Sequence, residues 1–171
     1  MNTQKSADAI SLCCSRKVAP PCELPTNLFV GSSQSENEES AVLAEKAISV
    51  WINSVWGVLL VLINREETRG RFSGLNIGHW KLLPILDIQK MKKSTIKKLA
   101  AVFDKFAEAE FDRLYLQFSD KVEEVNKNRL QLDMEVLRAL DPNIDQEEAK
   151  LNLLKLYGMI RASFEAWMKE D

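Results

Sequence analysis

The sequence predicts an α+β fold: a small N-terminal sheet with a helical hairpin packed on it, followed by a mainly helical C-terminal half. Three observations carry this reading. The first 35 residues hold short alternating or β-branched runs split by Pro20, Pro21 and Pro25, a grammar of strands and turns. Residues 47–64, AISVWINSVWGVLLVLIN, form an eighteen-residue stretch without a formal charge that breaks at Asn53-Ser54. From Ser94 onward the apolar residues recur at helical spacing.

The elements follow in chain order. The runs Ala9-Ile10-Ser11-Leu12-Cys13 and Asn27-Leu28-Phe29-Val30 are candidate strands. Residues 31–40, GSSQSENEES, contain no apolar side chain and read as an exposed loop whose last serine caps the next helix. A helical hairpin is expected over 41–64. Leu43, Ala47, Val50 and Trp51 share a stripe on its first arm, and Val55 to Ile63 is apolar all round, which places the second arm centrally. Residues 65–80, REETRGRFSGLNIGHW, have little periodicity and read as a long polar connection of the kind that carries function.

Pro84 within Lys81 to Ile88 forbids a helix interior or a central strand, so that segment reads as an extended edge returning to the sheet. A strong helix is expected from Ser94 through Ile96, Leu99, Val102, Phe103, Phe106 and Phe111. Beyond a polar gap at 120–128, helices are expected over 130–140 and 146–168, separated by Asp141-Pro142-Asn143, with Asp145 capping the last. The organisation is a strand-containing region over 1–90 and a helical region over 91–171.

With 171 residues, 46% of them hydrophobic, the chain is long enough for one domain with its own core. The formal charge of −2 hides an uneven distribution. Residues 65–103 hold 9 basic and 3 acidic side chains, whereas residues 104–171 hold 10 and 16. A partner responds to the local field, so the basic middle is the informative part. Cys13, Cys14 and Cys22 are too clustered for a disulfide framework and fit a reducing, cytoplasmic setting. With His79 they would complete a Cys3His zinc set only through one unsupported residue, so no metal is expected. The N-terminus lacks the pattern of a signal peptide. Ser49, Asn53, Ser54 and Gly57 interrupt the uncharged stretch, so two buried helical pieces are expected there and no membrane span.

Catalytic chemistry is poorly represented. A single histidine and no serine in a nucleophile-elbow context leave no acyl-transfer constellation. The glycines at 70, 74 and 78 make neither a dinucleotide fingerprint nor a phosphate loop. Adjacent acidic pairs such as Glu66-Glu67, Glu123-Glu124 and Glu147-Glu148 point to different faces and read as solvated charge.

One ordered set of motifs goes further. Trp51-Ile52-Asn53-Ser54 with Gly57 and an apolar run is followed by Arg65-Glu66-Glu67-Thr68-Arg69-Gly70, by Leu82-Leu83-Pro84-Ile85-Leu86-Asp87, and by Asn128-Arg129-Leu130-Gln131-Leu132-Asp133 with Val136-Leu137-Arg138-Ala139-Leu140. In that order and spacing the chain resembles the C-terminal, target-recognition region of the N6-adenine-specific DNA methyltransferases of restriction-modification and phage-defence systems, over roughly residues 8–168. Ile52 stands where leucine is usual, and Asp141-Pro142 replaces a helix-ending glycine. The catalytic Asn/Asp-Pro-Pro-Tyr/Phe motif of such enzymes is missing: Pro20-Pro21 lies between Ala19 and Cys22, with neither polar partner nor aromatic. The glycine-rich S-adenosylmethionine loop is missing too. The resemblance therefore implies a recognition part without its catalytic part, with S-adenosylmethionine held only by a separate domain or a separately encoded methyltransferase subunit.

Under this reading double-stranded DNA is the partner. Arg65, Arg69, Arg71, Lys81, Lys92 and Lys93 are candidate phosphate contacts, and Arg71, Asn76 and His79 candidate base readers. Trp80, beside His79, is a candidate stacking residue. Asn53 and Ser54 are read as a helix break whose side chain caps the next turn, Trp51 and Trp56 as core, and Arg129 with Asp133 as an i,i+4 ion pair on a helix surface. The alternatives are a helical protein-interaction module, an inactive remnant of such an enzyme, and a membrane-associated chain anchored through 47–64.

Overall fold

The computed structural model describes residues 38–64, 66–68, 72–74 and 85–169. Five helices dominate them: α1 (Glu38–Asn53), α2 (Val55–Asn64), α3 (Lys93–Phe106), α4 (Lys127–Leu140) and α5 (Gln146–Lys169). Between α2 and α3 lies a two-stranded antiparallel ribbon, β1 (Glu66–Thr68) and β2 (Phe72–Gly74), paired Glu66 with Gly74 and Thr68 with Phe72. Short 3-10 turns occur at Ile88–Lys90 and Leu114–Gln117.

The expected α+β arrangement is corrected here. The helical hairpin does not sit on a sheet: α1 and α2 pack on other helices, and the strand content of the described residues is the ribbon of two three-residue strands that follows α2. The apolar faces of α3, α4 and α5 already cover the apolar surface of α1 and α2, so no sheet face is needed to bury it. The candidate strands within 1–35 lie outside the described residues. So do Leu82, Leu83 and Pro84; the part of that segment that is described, Ile85 to Asp87, is coil leading into a 3-10 turn and has no ladder partner among the described residues.

The helices form where the apolar spacing places them, with shifts at the ends. α1 starts before Ser40, so that serine lies within the helix. α3 stops at Phe106, and Phe111 packs against the core from the connection that follows. At α5 the sequence and structure agree on the cap: the Asp145 carboxylate accepts from the backbone N–H groups of Glu147 and Glu148, at 2.9 and 3.0 Å.

The core divides into two clusters with α4 between them. One gathers Ala47 and Val50 of α1, Leu99, Val102 and Phe106 of α3, and Leu132, Val136 and Ala139 of α4. The other gathers Val55 and Val58 of α2, Leu114, Phe118 and Val125 of the connection, and Leu153, Leu154, Tyr157, Ile160 and Phe164 of α5. Trp56 packs against both, as its reading as a core residue requires. No single helix among the described residues is long and apolar enough to cross a membrane; α1 and α2 together would be, but they meet at 66°.

Candidate nucleic-acid interface

The basic middle of the chain contributes two described features. The first is the β1–β2 ribbon. Its register pairs Thr68 with Phe72, so three residues, Arg69-Gly70-Arg71, join the strands. These three lie outside the described residues, as do Arg65, Asn76, His79, Trp80 and Lys81.

The second feature is the start of α3. Lys92 occupies the N-cap position in extended backbone, and its side chain makes no capping hydrogen bond. Lys92, Lys93, Lys97 and Lys98 are all exposed, and none has an ion-pair partner among the described residues. Lys93 and Lys97 lie one helical turn apart on the same face. Nearby, Lys90 reaches Asp87 at 2.7 Å; their hydrogen bond holds the Asp87 carboxyl below its ordinary value and the Lys90 ammonium above its own. One of the five lysines of residues 90–98 is thus neutralised locally, and four are not. Four cations opposing the positive end of a helix macrodipole raise the local potential, which favours an anionic partner and disfavours the helix.

The most polar part of the interior lies elsewhere, at the break between α1 and α2. The Asn53 carbonyl and the Val55 N–H leave the helical ladder there, and both are taken up by a pair of side chains from α4. Arg129 Nη1 donates to the Asn53 carbonyl oxygen, and the Val55 N–H donates to Asp133 Oδ1 at 2.9 Å. Arg129 Nη1 stands 3.7 Å from Asp133 Oδ1, with both side chains buried. Arg129 also donates through Nε and Nη2 to Gln117 Oε1, at 2.9 and 2.6 Å, and its guanidinium carbon stands 5.3 and 5.5 Å from the ring centres of Phe111 and Phe118. Tyr157 O–H donates to Asp133 Oδ2 at 2.6 Å.

The Arg129–Asp133 pair is therefore not the surface ion pair that its i,i+4 spacing suggested. Arg129 is 2% exposed and Asp133 fully buried. Burial pushes the Asp133 carboxyl above its ordinary value, against the pull of Arg129 and the hydrogen bonds from Tyr157 and Val55. Burial and the neighbouring carboxylate raise the Tyr157 hydroxyl as well, so it stays a proton donor. Nor is the break capped as expected by its own side chain alone: Ser54 Oγ turns back to the Trp51 carbonyl, while Asp133 supplies the cap to α2 from another helix. The sequence did carry a signal. Arg129 shares a helical face with Leu132, Val136 and Ala139, so it stands on the apolar side of α4.

Gly57 is the other residue whose role emerges in three dimensions. The bend brings the Ile52 carbonyl so close to its Cα that a Cβ there would overlap backbone atoms. Comparison of the chain with known protein families, with curated proteins and with solved structures finds no match.

Proposed function

We propose that the chain is a DNA-binding target-recognition module of the kind that serves an N6-adenine DNA methyltransferase, without catalytic motifs of its own. The observation that carries this reading is the cluster of four exposed lysines at the start of α3, without ion-pair partners among the described residues, following a ribbon whose connection contains Arg69 and Arg71. A two-stranded ribbon fits the width of the DNA major groove, and arginine is the side chain that pairs with guanine there. Lysines at a helix start supply phosphate contacts that fix register. Arg65, Asn76, His79, Trp80 and Lys81 are candidate contacts by sequence alone and lie outside the described residues.

The residues present do not fit S-adenosylmethionine, because the sequence has neither the glycine-rich loop nor the Asn/Asp-Pro-Pro motif. The cofactor belongs in this proposal to a separate methyltransferase subunit, and no step is assigned through it.

A protein-interaction module is the second reading, favoured by exposed Leu151 and Met159 on α5 and Ile63 at the end of α2. Salt separates the two, because phosphate binding weakens steeply with salt and apolar packing does not. Fluorescence anisotropy with a random-sequence duplex is expected to show binding that falls between low and near-physiological salt. An Arg69→Ala, Arg71→Ala variant is expected to bind more weakly, and a Lys92→Ala, Lys93→Ala variant to lower the salt slope by about one per lysine. No binding by the wild-type chain at low salt would transfer the assignment to protein interaction.

A further inference from the structure

Ser94 stands in the middle of the α3 lysines. Lys92 and Lys93 precede it, and Lys97 and Lys98 follow at i+3 and i+4, the positions one helical turn on that share its side of the helix. Ser94 and all four lysines are exposed, and the Ser94 hydroxyl has no hydrogen-bond partner among the described residues. Other serines whose side chains are described differ. Ser54 and Ser119 are buried and hydrogen-bonded, and Ser49 is half-buried. The Ser163 hydroxyl donates to the Met159 carbonyl at 2.9 Å, and Ser40 directly follows Glu38 and Glu39. Among them, Ser94 alone combines exposure, an unengaged hydroxyl and basic neighbours.

Carboxylates on and around α3 are engaged elsewhere. Asp104, the acidic residue of α3, is held by Lys46 of α1 at 2.7 Å. Glu135 of α4 is held by Lys105 at 3.0 Å, and Asp87 by Lys90 at 2.7 Å. An anion attached at Ser94 therefore meets ammonium groups that have no ion-pair partner among the described residues, with Lys97 and Lys98 one turn away.

We propose that Ser94 is a phosphorylation site, and that its phosphate switches off the α3 lysines as DNA contacts. The site stands on the local geometry; the switching rests on the DNA-binding reading above. The donor is a nucleoside triphosphate held by a protein kinase. Ser94 Oγ bonds to the γ-phosphorus, the bond from that phosphorus to the bridging oxygen breaks, the nucleoside diphosphate leaves, and the hydroxyl proton passes to the kinase's base. Such a kinase carries an acidic peptide groove, complementary to four cations within four residues of the hydroxyl. The product brings about −1.5 to −2 charges at neutral pH, enough to offset roughly two of the lysines. It pairs with Lys97 and Lys98, and it adds negative charge to the first turn of α3, which has no acidic residue.

The test uses the full chain. Wild type and Ser94→Ala are treated with MgATP and a serine kinase directed by basic residues, and peptide mass spectrometry locates the phosphate. One phosphate is expected on Ser94 of the wild type and none on Ser94→Ala. A second preparation carries phosphoserine installed at residue 94 during translation. Its thermal midpoint is expected to rise by about 2 to 4 °C, a gain lost when Lys97→Ala, Lys98→Ala is combined with the phosphoserine. Its affinity for a random-sequence duplex is expected to fall about tenfold or more, with a salt slope lower by roughly two, while Ser94→Ala binds as wild type.

Phosphate on Thr95 or elsewhere, or none at all, overturns the site. An unchanged midpoint in the phosphoserine chain overturns the capture by Lys97 and Lys98. A phosphoserine chain that binds DNA as wild type overturns the switch. If the unmodified chain binds no DNA, the functional reading and the switch both fall, while the mapping and the midpoint still decide the site.

Discussion

Two glycines on helices, Gly57 and Gly158, look alike in sequence and differ in what surrounds them. A Cβ at Gly57 would meet the backbone carbonyl of Ile52, which cannot swing away without opening the bend. A Cβ at Gly158 would come 2.9 Å from Cβ of exposed Asp120, so one of the two must shift, but no backbone carbonyl stands in its way. Gly57→Ala is expected to cost about 3 kcal/mol or more through overpacking. In Gly158→Ala a gain in helix propensity of about 1 kcal/mol offsets part of the cost of that shift, so the loss is expected to be smaller than at Gly57. Urea unfolding of the two variants checks the contrast; equal losses would mean the bend does not depend on Gly57.

Asp133 makes a pH prediction at the same scale. Its folded-state value is raised by burial, so the native protein holds this proton to higher pH than the unfolded chain does. The group's contribution to stability is then fully present below its unfolded value, near 4, and declines as pH rises toward the folded one. Asp133→Asn does not titrate, so its penalty relative to wild type is expected to be largest in acid and smaller at neutral pH. Chemical denaturation of both proteins between pH 3.5 and 7, a range spanning about 3.5 units around the carboxylate region, reads this directly. A penalty that grows with pH would show that Arg129 outweighs burial. Removing one partner of a buried pair costs about 3 to 5 kcal/mol when the other is left uncompensated, which makes Arg129→Ala the most damaging change expected at the break.

At the scale of elements, α3 is the informative helix. Its N-cap is a lysine with no capping bond, and lysines fill its first turns, against both cap preference and macrodipole. α5, by contrast, is capped by Asp145 and opens with Glu147 and Glu148, as a helix selected for stability alone would be. Lys92→Asp is therefore expected to raise stability by about 1 kcal/mol and to weaken DNA binding together with its salt slope. Thermal unfolding and anisotropy on the same variant test both signs. A stabilised variant that binds as wild type would detach the start of α3 from the proposed function.

Much at this scale was legible beforehand. The break at Asn53-Ser54, the cap at Asp145 and the spacing of α3, α4 and α5 follow from side-chain period and turn chemistry, which are local. The role of Arg129 and Asp133 was not legible. An i,i+4 ion pair reads the same on a surface and in a core until the partners across the helix are known. The ribbon at 66–74 escaped notice for a related reason: three residues per strand are too few to establish an alternating pattern.

For the whole molecule, α4 joins the two clusters of the core. Leu132, Val136 and Ala139 serve one, while Leu130, Met134 and Leu137 pack against the other. A helix that contributes to both makes separate unfolding costly, so a single cooperative transition is expected. Val136→Ala and Leu153→Ala, one in each cluster, should both lower the same midpoint, each by the cost of a core truncation. Two transitions, each moved by one variant, would divide the molecule into independent parts.

The sequence by itself determined that the chain has helices over most of residues 38–169, where they break, and that its positive charge is concentrated between residues 65 and 103. Each of these depends on neighbours within about two turns of chain, or on simple counting. Only the tertiary structure decided that the helical hairpin packs on helices instead of a sheet, that an arginine and an aspartate of α4 occupy the break between α1 and α2, and that Gly57 must lack a side chain. The contacts at the break join residues 76 and 78 positions apart, a distance that local pattern does not encode, and the Ile52 carbonyl closes on Gly57 only because the helix bends there.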